Sequence, residues 1–304
     1  MSYVDQLEKN AGLARRYETA INSKTGIDCF DIWARELIET GYLHNHARMW
    51  FASIWIYTLE LPWELGADFF YRHLLDGDPA SNTCSWRWIC GLHTTGKTYL
   101  ARASNIEQFT QSRFNPEGQL ATDAPSMSEP SLPELITPNF KSADLIGRRY
   151  GLLMTEEDIS IDSLGLSNPS AAIMALGSVT ARSVLPLSCR VEDFSPALVK
   201  DGAVRIEKFY NMSCSVSIED DWHMAINEWV KEYSLDCVVT PRLMIGPVRT
   251  RLQRAVMDLN VPLFEISRTY DRAVTKYAKR GFFGLKKKIP NILMELGIQA
   301  TQCH

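Results

Sequence analysis

The sequence predicts an α+β chain: an all-helical region followed by a small α/β, Rossmann-like domain. Three observations carry this. Apolar residues in roughly the first 114 positions recur at helical spacing, and a Pro/Ser/Glu-rich stretch follows them. The last third alternates short β-branched runs with amphipathic helical patterns, the arrangement of βαβ units on a parallel sheet. At 304 residues there is room for two ordinary domains, each with its own apolar core. The boundaries read as 1–114 for the helical region, 115–175 for a linker or surface-hugging arm, and 176–304 for the α/β domain.

Within the helical region, DCFDIWARELIETG offers Asp28 as an N-cap, apolar positions at Phe30, Trp33, Leu37 and Ile38, and Gly41 as a stop. A second helix runs from near Asn45 to Leu59, and Pro62 opens a third through ELGADFFYRHLL. The stretch NPEGQLATDAPSMSEPSLPELITPNF, residues 115–140, has linker composition. In the last third AVRIEKFY, LDCVVTP and VPLFEIS read as strands. DDWHMAINEWVKEY and GPVRTRLQRAVMDL read as helices.

Composition narrows the function classes. The chain is 45% hydrophobic and 22% charged, which reads as soluble and globular. Its richest apolar window, FASIWIYTLEL, is too short to span a bilayer, and the charged N-terminus carries no secretory signal. The seven cysteines include no C-x-x-C pair, so reduced thiols and a cytoplasmic location are expected, with no metal site. The net charge of −4 hides an uneven distribution. Residues 242–288 hold twelve Lys/Arg against three Asp/Glu, a basic segment suited either to an anionic partner or to a solvated helix face.

Residues 91–98, GLHTTGKT, match the phosphate-loop pattern G-x-x-x-x-G-K-[ST]. That chemistry also needs a strand before the loop, a helix after it and a distant strand ending in Asp. No apolar run here ends so, since LDCVVTP closes on Thr-Pro. The expectation is a connecting turn, with Lys97 a positive charge near a groove. His44 and His46 are two apart and have no third partner nearby, which argues for a polar turn over a metal site.

Six of the eight tryptophans fall between Trp33 and Trp88. LLDGDPASNTCSWRW places Asp76, Asp78, Asn82, Trp86 and Trp88 close together, with Asn82 and Trp86 on one face if the stretch is helical. Asn45, Arg48 and Met49 form a similar group at i, i+3, i+4. An Arg and an Asp meeting across two helices could make a partly buried site.

TGIDCFDIWARELIETGYLHNHARMWFASIW, followed by LPWELGADFFYRHLLDGDPASNTCSWRW and ending in ARASNIEQFTQSRFNP, closely resembles the flavin-binding domain of the photolyase/cryptochrome family. The resemblance runs from Thr25 to about Pro116. It implies an all-helical, partial photolyase-type FAD domain that uses FAD in blue-light-driven electron transfer to a pyrimidine dimer in damaged DNA. Asn82 would face the flavin ring near N5, Asp76 would pair with Arg48 beside the isoalloxazine, and Asp78 would accept from its polar edge. Asn45 would sit at the boundary between flavin and substrate. Trp86 would be the ring nearest FAD in the electron chain and Trp63 the next, with Trp50 and Trp55 either alternatives for the outermost place or core residues. Met49 and Trp88 would line the pocket for a flipped-out dimer.

The departures carry expectations of their own. The family's H-N-R-x-R appears as HNHAR, so His46 stands where a basic contact to DNA phosphate would be. Only 24 residues precede Thr25, and none of them spells the T-x-x-L-S loop that grips the FAD phosphates in relatives. The chain alone is therefore expected to bind FAD weakly or not at all, and a separately encoded N-terminal photolyase fragment to complete the fold. VVTPRLMIGPVRTRLQ and RGFFGLKKKIP look like the C-terminal extension of a bacterial branch of the family, its sheet playing the part of an antenna-type domain. A cryptochrome-type light sensor, or a non-catalytic remnant binding nucleic acid through residues 242–288, are the competing functions.

Overall fold

The computed structural model describes residues 3–94, 96–128, 136, 138, 140, 143–166, 170–178, 180–279 and 281–298. The chain forms two compact units. One comprises Met1–Ser131, Val179–Phe194 and Ile245–Pro247; the other comprises Leu132–Ser178, Ser195–Met244 and Val248–His304.

The first unit is helical: α1 (Tyr3–Lys9), α2 (Ala11–Ile21), α3 (Asp28–Thr40), α4 (Asn45–Ser53), α5 (Trp63–His73), α6 (Pro79–Ile89) and α7 (Ala103–Phe109). α3 stops at Gly41, whose φ of 70° is the left-handed cap conformation that glycine adopts without strain. Its start differs from expectation. Ile27 is the capping position and Asp28 the first helical residue. The carboxylate that closes this turn is Asp31, which accepts from the backbone N–H of Thr25 and Gly26 at 3.0 Å each and from Thr25 Oγ1 at 2.7 Å. One turn further in than a cap, it satisfies donors that would otherwise be orphaned.

α4 runs into a π-helical turn, Ile54–Thr58, in place of the single long helix the sequence suggests. The wider turn accommodates Trp55, fully buried, whose Nε1 donates to the Pro62 carbonyl at 3.0 Å. Around it the core is a stack of rings. Phe30 lies 4.2 Å from Phe51, Phe51 6.2 Å from Phe69, and Phe69 5.9 Å from Trp55, all near-parallel. Rings of this size each contribute on the order of 2–3 kcal/mol of burial.

The second unit is a doubly wound sheet. β1 (Tyr150–Thr155), β2 (Ala172–Leu176), α8 (Cys189–Tyr210), β3 (Cys214–Ser217), α9 (Trp222–Glu232), β4 (Cys237–Pro241), α10 (Pro247–Ala255) and β5 (Leu263–Ile266) follow one another along the chain. Three short helices end it: α11 (Thr269–Thr275), α12 (Gly281–Lys286) and α13 (Ile289–Glu295). Every pairing is parallel and the strand order is β3-β2-β1-β4-β5. The chain lays strands outward on one side of β1 and then returns to the other, as Rossmann-like sheets do. β1, β2 and β4 are buried along their whole length while the edges β3 and β5 are half-buried. Both faces of the central strands are therefore covered, which explains their continuous apolar runs.

Two sequence readings change here. AVRIEKFY is helical, the last part of α8, and not a strand. Val191, Ser195, Val199, Gly202, Ala203 and Ile206 are its buried positions, a helical period that extends upstream of the β-branched run. The stretch read as linker, 115–175, holds all of β1 and most of β2, because YGLLMT and AIMAL follow the polar composition directly. Other parts of that stretch lie outside the described residues.

GLHTTGKT follows the end of α6, with irregular chain after it and no strand ahead; Thr95 lies outside the described residues. Gly91 has φ 79°, and a Cβ there would sit 2.7 Å from Ser126 Oγ. Thr98 Oγ1 donates to the Ala124 carbonyl at 2.9 Å, so the segment is a tethered connecting turn. The basic 242–288 segment is partly neutralised within its own unit. Arg249 pairs with Glu265 at 3.2 Å, Arg251 with Asp220 and Arg268 with Asp158 at 2.6 Å each, and Lys276 with Glu295. Among the described residues no helix is long and apolar enough to cross a membrane.

Candidate functional site

A cavity of about 430 Å³ opens where α4, α5 and α6 meet the turn between α5 and α6. Asn45, Arg48 and Met49 reach it from α4, Phe70 from α5, Asp76 and Asp78 from the turn, and Asn82, Trp86 and Trp88 from α6. Eight of the nine residues singled out in the sequence thus line one space; Trp63 does not.

Local chemistry explains the convergence. Asp78 is the N-cap of α6, its Oδ1 accepting from Ser81 N at 2.6 Å, and Pro79 opens the helix. The cap fixes the phase of α6, so Asn82 and Trp86 face inward one turn apart. Asn82 Nδ2 donates to the Ala67 carbonyl at 2.7 Å, which orients the amide and leaves its Oδ1 as an acceptor. Opposite, Arg48 Nη2 donates to both Asp76 oxygens, at 3.1 and 2.9 Å, and its Nε to the Leu43 carbonyl at 2.7 Å. The Asp76 side chain is 56% exposed, so the pair contributes under about 1 kcal/mol to stability. What it does is hold a carboxylate and a guanidinium at a set place on the rim.

Trp86 is fully buried and stands edge-on to Phe70 (5.1 Å) and Trp55 (6.1 Å). Its Nε1–H has no hydrogen-bond partner among the described residues. Gly66 makes this packing possible. A Cβ there would lie 2.2 Å and 2.4 Å from the Trp86 ring and 2.9 Å from Trp55 Nε1. Sequence reasoning missed Gly66, although a lone glycine inside an amphipathic helix is the signal for such a close approach. Trp88 is half-exposed and stacks on Tyr99 at 5.6 Å. Trp63 sits apart, with the Arg87 guanidinium 5.8 Å above its ring. Trp50 is tied into the core by a 3.0 Å bond to Asn105 Oδ1 and by stacking on Trp33. Just before the turn, burial pushes the pKa of His73 down to about 4; its Nδ1–H donates to the Phe69 carbonyl at 2.7 Å, so the ring is neutral near pH 7.

The donor set suits a flat, uncharged heteroaromatic ring. It offers an apolar aromatic wall, an amide acceptor and a rim of mixed charge. It does not suit a diphosphate, because Asp76 and Asp78 outweigh Arg48 and leave the lining net negative.

A helical unit with such a cavity defines a cofactor-binding domain. Residues 3–123 match the FAD binding domain of DNA photolyase. The chain is 31% identical over 103 residues to a deoxyribodipyrimidine photo-lyase of Vibrio cholerae (34% of this chain, 22% of that protein). It is 36% identical over 103 residues to the photo-lyase of Thermus thermophilus (34% and 24%). It is also 34% identical over 96 residues to cryptochrome-1 of Arabidopsis thaliana (32% and 14%). The chain therefore spans less than a quarter of the length of these relatives. Residues 3–123 are thus similar to the FAD-binding domain of photolyases and cryptochromes, a domain whose cofactor is FAD.

Proposed function

We propose that the helical unit seats the isoalloxazine end of FAD in the cavity and serves blue-light-driven electron transfer, as a deoxyribodipyrimidine photolyase or a part of one acting on damaged DNA. The observation that carries this reading is the meeting of Asn82 and Trp86, from one face of α6, with the Arg48–Asp76 pair. FAD, when bound, supplies one-electron chemistry under blue light. Asn82 offers its amide to the ring near N5, and the Arg48–Asp76 pair fixes the ring's edge. The Asp78 oxygen not used in capping accepts from the ring's polar side. Asn45, Met49 and half-exposed Trp88 form the mouth, an apolar clamp for an extruded pyrimidine dimer with an amide at the boundary.

Trp86, buried in the cavity wall, is the primary electron donor. Two rings compete for the next place. Trp55 touches Trp86 but is sealed in the core, whereas Trp63 is half-exposed and carries a cation above it that disfavours a positive charge on the ring. Photoreduction rates of Trp55→Phe and Trp63→Phe separate them. The lining disfavours a diphosphate, so the phosphate contacts of FAD lie outside this cavity, and a separately encoded photolyase fragment is the partner proposed to supply them. A reducing, cytoplasmic setting is part of the proposal, as seven cysteines without a C-x-x-C pair lead one to expect.

The test is coexpression with a candidate fragment, followed by blue-light turnover on an oligonucleotide containing a dimer. Flavin absorbance in the purified complex together with dimer repair is expected. A complex with no flavin absorbance refutes the reading, and photoreduction without repair makes the chain a light sensor.

A further inference from the structure

Residues 180–188 come far later in the sequence than the cavity, yet they belong to the helical unit and bind the end of α5. Arg182 Nη1 donates to the carbonyls of Leu74, at 2.8 Å, and Tyr71, at 3.3 Å, with its guanidinium 5.2 Å above the Tyr71 ring. Ser183 Oγ donates to Asp68 Oδ1 at 2.6 Å. The other Asp68 oxygen accepts from Arg72 Nε at 2.7 Å, and Arg72 Nη1 donates to the Pro186 carbonyl at 2.7 Å. The segment is thus bolted to α5 by two arginines running in opposite directions.

The carbonyls Arg182 takes are those a helix end leaves unsatisfied, where the helix dipole also favours a cation. The next residues form the turn that carries Asp76 and Asp78. Leu75 N also donates to the Gly41 carbonyl at 2.9 Å and Asp76 accepts from Arg48, before Asp78 caps α6. Gly77 is shaped to this contact. A Cβ there would meet Leu74 O at 3.0 Å, Arg182 Nη1 at 3.1 Å and the Tyr71 ring at 3.2 Å, so a side chain would lift the guanidinium from its seat.

We propose that Arg182 is a positioning residue of the cavity. By clamping the Tyr71 and Leu74 carbonyls it sets the turn that aims Asp76 at Arg48 and Asp78 at the start of α6. Its consequence for ligand binding rests on the flavin-ring reading above; its consequence for the turn does not.

The experiment has two arms on the intact chain. In the first, amide hydrogen exchange is followed at Leu75 and Gly77, with Gly41, at the end of α3, as the control. Arg182→Gln accelerates exchange at Leu75 and Gly77 by about tenfold or more and leaves Gly41 unchanged, while Arg182→Lys restores part of the protection. Unchanged exchange at Leu75 and Gly77, or equal acceleration at Gly41, overturns the proposal. If Arg182→Gln fails to fold, Gly77→Ala disturbs the same seat and is read in the same way.

In the second arm riboflavin is titrated by fluorescence quenching. Arg182→Gln raises its Kd by about tenfold, and the double variant with Asp76→Asn is no weaker than Asp76→Asn alone, because one residue acts through the other. Additive losses overturn the route through Asp76. If the unaltered chain binds no riboflavin, the titration is run on the coexpressed complex; no binding there defeats the flavin reading, while the exchange result still decides the positioning.

Discussion

Gly66→Ala tests the packing that holds Trp86 in the cavity wall. In a helix interior this change ordinarily stabilises, by about 1 kcal/mol, because alanine loses less backbone freedom on folding. Here the new methyl would lie 2.2 and 2.4 Å from the Trp86 ring and 2.9 Å from Trp55 Nε1. Both rings are fully buried among other aromatics, so neither can swing aside without opening the core. Overpacking of this kind costs about 3 kcal/mol, which leaves a net loss of about 2 kcal/mol after the helix gain. For a unit of this size that lowers Tm by about 5–8 °C, read by far-UV circular dichroism. Gly12→Ala in α2 is the matched control. Its methyl would meet only Asn10 Oδ1, at 3.4 Å, and Tm should hold or rise. A Gly66→Ala protein as stable as the unaltered one would refute the close approach of α5 to Trp86, and with it the shape of the cavity.

Two further outcomes follow from buried polar groups. The folded chain holds His73 near a pKa of about 4, below its ordinary 6.5, so the unfolded chain binds the extra proton first as pH falls. Stability is therefore full above about pH 6.5 and declines toward pH 4 by on the order of 3 kcal/mol, and His73→Asn flattens that slope in urea titrations across the range. Asp31→Ala strips acceptors from the Thr25 and Gly26 N–H groups and should cost about 2–3 kcal/mol, seen as a lower urea midpoint at unchanged m-value.

How much was legible in the sequence depended on whether the cause was local. Gly41 stops α3 where a left-handed residue is needed, and the i, i+4 spacing of Asn82 and Trp86 places both on one helix face, so both features can be read along the chain. The same holds for β4 and β5, whose apolar runs are bounded by turns. AVRIEKFY misled because Ala203 and Ile206 belong to the buried stripe of a helix that begins 14 residues earlier, at Cys189, while Val204 on its other face is exposed. β1 was hidden by the polar composition before it. Gly66 and Arg182 act through partners distant in sequence, Trp86 in one case and the Tyr71 and Leu74 carbonyls in the other. No spacing rule connects such pairs; only the fold brings them together. Trp63 shows the converse, a residue flagged by pattern that the packing sets apart from the cavity its neighbours share.

The central claim is that this cavity holds the flavin ring and does not grip the diphosphate. The most direct measurement compares the Kd of riboflavin with that of FAD on the isolated chain, followed by quenching of flavin fluorescence. Equal affinities within about tenfold, both weakened in Trp86→Ala, are the predicted result. FAD binding far tighter than riboflavin, or binding of both unchanged in Trp86→Ala, would contradict the account.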